Sequence, residues 1–221
     1  MSSIPPIRVA IVTGGHPFDV PSFAAVFRAM PDVDAYVQHL EDFTSDVAGR
    51  ARGYEVVVFY NMTKLKPTDQ LAWYEGKTFT ALEALGERTQ GIFVLHHALL
   101  AFPEWELWSQ IVGMRKRRIE SYHMGQEVFV HVADPTHPVT SGLSDWTITD
   151  ETYLMGPAEP ADGNHLLLTT DNPRSTPTLA WARTFRNSRV LCYQSGHDAR
   201  AFEDASFRRF VHQGIRWLAG R

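Results

Sequence analysis

Val56-Val57-Val58-Phe59-Tyr60-Asn61 settles the class of fold. Its first five side chains leave no polar face, so a strand built from them has to be covered on both sides, as in the interior of a parallel sheet. Upstream, residues 7–13 form a second β-branched run that stops at Gly14-Gly15, as a buried strand does where its carboxyl end opens into a loop. Phe23, Val26, Phe27 and Met30 then recur at helical spacing behind Pro21, a residue tolerated in a first turn because no amide bond is lost there. Residues 34–40 read as another strand. Downstream, imperfect helical material fills residues 68–88, with Gly76 as an interruption, and Gly91 introduces a strand over residues 92–95. The order β-α-β-β-α-β predicts an α/β fold with a mainly parallel central sheet and right-handed crossovers. Ligands in such sheets bind beyond the carboxyl ends of the strands, which locates the site before any motif is considered.

The pattern changes after Trp105. Residues 127–132 alternate, residues 166–169 are short, and residues 178–184 and 190–193 flank Asn187-Ser188 as a C-terminal hairpin. Phe207, Phe210, Val211, Ile215 and Leu218 share one face of a closing helix over residues 206–218. No linker, repeat or low-complexity tract interrupts the 221 residues, so residues 1–221 read as a single domain.

Composition excludes several classes of function. With 44% hydrophobic and 21% charged residues, the chain can bury enough apolar surface to fold. A net charge of -4 and a pI near 6.2 provide no field for a nucleic-acid backbone. The basic run Arg115-Lys116-Arg117-Arg118 reads as a solvated loop or helix end. A single cysteine, Cys192, excludes an intrachain disulfide and a cysteine-based zinc site. No signal-peptide pattern precedes residue 7 and no apolar stretch approaches the roughly 20 residues that cross a bilayer. The expectation is a cytoplasmic protein without nucleic-acid or membrane partners.

Histidines fall where the strands end. His16 lies in Gly14-Gly15-His16-Pro17, where the glycines permit close backbone approach to a ligand, or simply a turn. His96 and His97 follow residues 92–95 directly, the position of a nucleophile elbow, though buried structural histidines fit there too. His197 again follows a strand. Imidazoles converging at one edge can share proton transfer or bind a metal. Glu151, after a short extended run, is a candidate base, histidine orienter or metal ligand, and His123 sits in a loop-like region. His39, His131, His137, His165 and His212 read as structural. The tryptophans, Trp73 among them, are mostly core; Trp105 and Trp108, close behind His96, are candidate pocket walls.

The stretches VTGGHPFD (12–19), VVVFYN (56–61), GIFVLHHA (91–98), HPVTSGL (137–143), DETY (150–153), SGHD (195–198) and IRWLAG (215–220) resemble, in this order, the ThuA-like trehalose-utilisation family of the class I glutamine amidotransferase-like superfamily. The resemblance spans almost the whole chain. It implies a flavodoxin-like sheet with helices on both faces, and polar site positions at His16, Asn61, His96, His123, Glu151, His197 and Asp198. In amidotransferases the elbow holds cysteine; here it holds His96, and Cys192 lies in another strand. Thioester chemistry needs a thiolate, so glutaminase activity is not expected. His97 stands where the family commonly has a small residue, leaving two candidates for the elbow side chain.

The resemblance implies a small-molecule carbohydrate as partner and an isomerase, lyase or hydrolase acting on a sugar or keto-glycoside. His16, His96, Glu151 and His197 are the expected catalytic residues, and Asn61, His97, His123 and Asp198 the expected substrate-binding ones. A divalent metal such as zinc is a candidate cofactor on three or so of His16, His96, His123, His197 and Glu151. The rival expectation is a non-catalytic sugar-binding or regulatory protein that keeps the cleft. A hydrolase using Ser195 is a third, and a homo-oligomer is compatible with all of them.

Overall fold

In the computed structural model, which describes residues 4–46, 53–70 and 77–221, the apolar runs of the first half lie side by side as parallel strands. β1 (Ile7–Gly14), β2 (Val33–His39), β3 (Val56–Asn61) and β4 (Gly91–Leu95) join β9 (Ser188–Tyr193) in the order β2-β1-β3-β4-β9. From β9 the sheet continues antiparallel through β8 (Thr178–Phe185), β7 (His165–Thr169), β5 (Ser121–Val132) and β6 (Trp146–Leu154), making nine strands. One half is thus the parallel sheet expected of the sequence, and the other is an antiparallel extension. The β8–β9 hairpin turns through Arg186-Asn187, with Arg186 in the left-handed region at φ 50°.

Alternate side chains of the parallel strands serve two cores. Val9, Ile11, Val58 and Tyr60 face Phe23 and Phe27 of α1 (Val20–Arg28) and Phe207, Phe210 and Ile215 of α6 (Ala205–Leu218). Ala10, Val12, Val57 and Phe59 face Phe43 of α2 (Leu40–Ser45), Leu82 of α3 (Thr78–Glu83) and Trp108 and Ile111 of α4 (Glu106–Val112). Each such fully buried side chain contributes about 1.5–3 kcal/mol, which is why an unbroken apolar run is needed at β3. Asp204 caps α6 through the Phe207 amide at 2.7 Å.

Several local expectations are corrected. A six-residue helix, α2, separates β2 from β3, and Leu40 begins it rather than ending the strand; His39 caps it by accepting the Glu41 amide. Between residues 68 and 88 the described helix is only α3, while Trp73 and Gly76 lie outside the described residues. His123 is not in a loop, because β5 begins at Ser121. Glu151 does not follow an extended run but stands inside β6. Among the described residues no helix is long and apolar enough to cross a membrane.

Candidate functional site

Because β1, β3, β4 and β9 run parallel, their carboxyl ends open on the same edge of the sheet. His16 follows β1, Asn61 ends β3 opposite Gly14, His96 and His97 follow β4, and residues 194–198 follow β9. The close approach of β1 to β3 depends on glycine: a Cβ on Gly15, at φ 72°, would stand 2.8 Å from the Met62 carbonyl.

His96 occupies a sharp turn with φ 54°, a left-handed conformation that L side chains rarely adopt. The turn is held from behind by Arg117, whose guanidinium donates to the carbonyls of Leu99 (3.0 Å), Ala101 (2.6 Å) and Phe102 (2.8 Å), and to Ser109 Oγ (3.0 Å). Arg117 is therefore no part of a solvated run. It is 4% exposed, and burial lowers its pKa to about 10. Its donors are spent on backbone, which leaves none for a phosphate.

The His96 ring is fixed at both nitrogens. Nδ1 lies 2.7 Å from the Gln194 carbonyl, which can only accept, so Nδ1 carries the proton and Nε2 offers its lone pair inward. Around Nε2 stand the Tyr153 hydroxyl at 2.9 Å, His197 Nδ1 at 3.1 Å and Glu151 Oε2 at 3.2 Å. Glu151 Oε2 is also 3.0 Å from His197 Nδ1. Burial alone would raise the Glu151 pKa, but hydrogen bonds from His197 and His96 outweigh it and hold the carboxyl well below its ordinary value. The same bond to Glu151 raises His197, against the opposing effect of burial. Burial, with the Glu151 charge, keeps Tyr153 protonated.

Two features of β6 bring the acid here. The β5–β6 register shifts between His123 and Gln126, so Met124 and Gly125 stand opposite the single residue Glu151, with Gly125 at φ 61°. Such a bulge bends and twists the pair and re-aims the side chain beside it. Next to Glu151, Asp150 is 1% exposed and accepts the amides of Glu151 (2.8 Å), Gly196 (2.6 Å) and His197 (3.0 Å). Burial pushes its carboxyl up, while the charge of His96 and these amide bonds pull it down. Asp150 thus ties β6 to the turn that carries His197.

The expected site residues separate into three groups. His96, Glu151 and His197 come together, with donor atoms within 4.8 Å of one another. His16 and His97 lie beside them, their rings 4.5 Å apart and 31° from parallel, and His16 is 6.1 Å from the His197 ring. Burial lowers His16, and burial reinforced by the charges of His96 and His16 brings His97 down to about 2. Of the two histidines at the turn, His96 reaches the carboxylate, whereas His97 Nε2 donates to the Tyr60 carbonyl at 3.0 Å. Asn61 is fully buried at the same edge.

Two residues stand apart. Asp198 caps α5 (Ala199–Phe202) and is engaged by Arg200, and His123, opposite Thr152 on β5, lies 3.2 Å from Ser121 Oγ. Neither belongs to the donor cluster. Trp105 and Trp108 are core rather than pocket walls; both are buried, and the Trp108 indole donates to the Ala98 carbonyl. Asp150 and Tyr153 were not singled out from the sequence, although both lie in the DETY stretch. The side chains of Glu151 and His197 are 8% and 18% exposed, so solvent reaches the cluster at His197. Cavities of about 370 and 240 Å3 lie beside α3 and α4 and are not lined by these residues.

The family model for trehalose utilisation, ThuA, matches residues 8–218. The chain belongs to the ThuA family. Solved ThuA-like proteins have the same fold: one from Parabacteroides merdae is 19% identical with a TM-score of 0.72, covering 97% of this chain and 90% of its own. Another, from Bacteroides uniformis, is 18% identical with a TM-score of 0.76, covering 99% and 93%. A GMP synthase-like protein from Thermoplasma acidophilum, 13% identical with a TM-score of 0.60 and coverages of 99% and 96%, places the ThuA sheet among the glutamine amidotransferase-like, flavodoxin-like folds. No curated protein matches in sequence. In this ThuA chain the elbow holds an imidazole, while Cys192 is fully buried inside β9 with its thiol pushed up by burial.

Proposed function

We propose that this ThuA-family chain is an enzyme that processes a sugar or keto-glycoside by histidine–carboxylate acid–base chemistry, without amidotransferase activity. The observation that carries the reading is the meeting of Glu151 Oε2 with His197 Nδ1 at 3.0 Å and His96 Nε2 at 3.2 Å. Glu151, held ionised, keeps the proton on His197 Nδ1, and His197 Nε2 is then the basic nitrogen. His197 is the group that removes a proton beside a substrate carbonyl, and the Glu151 charge stabilises the imidazolium that forms. His96 and Tyr153 orient this pair from the buried side. His16, the other partly exposed imidazole, is placed to donate to the developing oxyanion.

A second reading is favoured by the donor set itself. His96 Nε2, His197 Nδ1 and a Glu151 oxygen match the nitrogen and oxygen donors of a divalent ion such as zinc, and the His96 Nδ1–Gln194 bond is the outer-shell support such ligands use. A bound ion would supply Lewis-acid activation of a carbonyl or water.

The test is turnover of a keto-glycoside panel by wild type, His96→Ala and His197→Ala, with metal content measured on protein purified without added zinc and activity measured with and without chelator. Turnover lost in both variants supports the enzyme, and loss on chelation selects the metal form. Ligand binding without wild-type turnover supports instead a sugar-binding or regulatory protein that keeps the cleft.

A further inference from the structure

Beside the His96–Glu151–His197 group, the ends of β3 and β4 present polar atoms that nothing in the protein satisfies. His97 is 1% exposed and Asn61 0% exposed. His97 Nε2 donates to the carbonyl of Tyr60, the residue before Asn61, so in the neutral ring Nδ1 is an acceptor, and it has no partner among the described residues. Asn61 Nδ2 donates to Thr63 Oγ1 at 3.3 Å, which leaves Oδ1 as an acceptor, also without a partner. His16, stacked on His97, has a third buried and unpaired nitrogen, Nδ1. Buried acceptors are ordinarily satisfied, and a cluster of exceptions at the ligand edge of an α/β sheet marks groups held ready for a partner.

We infer that His97 Nδ1 and Asn61 Oδ1 form a hydroxyl-binding subsite that takes two O–H donors of a neutral polyol, next to the reacting group at His96. The acceptors carry no charge, and Glu151, the carboxylate at this edge, is already engaged by two imidazoles. That selects hydroxyls over an ammonium group, which would need a counter-charge when taken out of water. An anion is excluded for the opposite reason, since acceptors face it. The inference deepens the proposed function and rests on its carbohydrate class. It adds that recognition is by hydroxyl donation to the ends of β3 and β4, separate from the proton-transferring pair.

The experiment is equilibrium binding of methyl α-D-glucopyranoside and its monodeoxy analogues to the wild-type chain by calorimetry. At least one deoxy analogue is expected to bind about tenfold more weakly than the parent, because a buried acceptor left unpaired forfeits its bond. His97→Phe and Asn61→Leu should each bind the parent about as weakly as wild type binds a deoxy analogue, and should no longer discriminate against that analogue. Asn61→Asp, which keeps an acceptor of the same shape, should retain discrimination; melting curves separate loss of binding from loss of folding. The inference is overturned by absence of binding for every probe, by discrimination unchanged in folded His97→Phe and Asn61→Leu, or by an ordered water that satisfies both acceptors and stays when sugar binds. Hydroxyl discrimination without turnover leaves the subsite standing and removes the catalytic reading; turnover with discrimination indifferent to these two residues does the reverse.

Discussion

Replacing Asp150 with asparagine keeps the shape of the side chain and removes one acceptor oxygen from three backbone amides. In the native protein Oδ1 accepts Glu151 N and His197 N, and Oδ2 accepts Gly196 N. An asparagine can hold the first two with its carbonyl only by turning its NH2 toward the Gly196 N–H, which sets two donors face to face. The charge-assisted bond lost is worth about 1.5–3 kcal/mol and the stranded amide about 1–3 kcal/mol. Relief of the buried charge offsets part of this, leaving a net destabilisation of roughly 3 kcal/mol. For a chain of this length 1 kcal/mol moves the melting temperature by about 2–4 °C, so Asp150→Asn should melt about 6–12 °C lower by calorimetry. Exposed Glu203→Gln is the reference, with an expected change within about 0.5 kcal/mol. Displacement of the 196–197 turn should also lower turnover by about 100-fold, since His197 moves with it. An Asp150→Asn protein that melts within about 2 °C of wild type would mean that this carboxylate does not anchor the turn.

Other perturbations probe the rest of the site. Arg117→Met strands the Leu99, Ala101 and Phe102 carbonyls behind the His96 turn and should cost about 3–5 kcal/mol in chemical denaturation, with Arg117→Lys between it and wild type. The folded pKa of Glu151 is depressed, so its contribution to stability is present above the unfolded value of about 4.3 and lost as pH falls below it. Wild type should therefore lose stability more steeply than Glu151→Gln below about pH 4, as followed by urea titration at several pH values. Cys192 should resist alkylation in the native protein, and Cys192→Ala should retain turnover while losing about 1–2 kcal/mol of stability.

The parallel half of the sheet was legible because each strand feeds two cores and so carries an unbroken apolar run; residues 56–61 and 91–95 leave no other reading. β6 was not, and the reason is chemical. Trp146–Leu154 alternates threonines with apolar residues and then places Asp150, Glu151 and Thr152 in succession, all buried because they serve the site rather than the core. Strand patterning has no signal for a strand whose polar residues are the buried ones. α2 was missed because six residues are too few for a helical period to show, and its cap is a histidine. The sequence placed His16, His96, His97 and His197 at strand ends, but whether His96 or His97 meets the carboxylate depends on a φ of 54° that no composition encodes. Asp198 looked like a site group because it follows His197, yet its carboxylate is spent on Arg200. Arg117, hidden in a run of four basic residues, is the one that the 96–102 turn needs buried.

Whether Glu151 and His197 act as one proton-holding pair beside His96 can be decided without knowledge of the substrate. In metal-free protein labelled with 15N-histidine, the His197 ring is followed by NMR as a function of pH in wild type and in Glu151→Gln. The structure predicts that His197 titrates above the ordinary histidine value in wild type, with its proton on Nδ1, and drops below that value when the carboxylate is gone. A His197 that titrates at the same pH in both proteins would show that the two side chains do not share a proton.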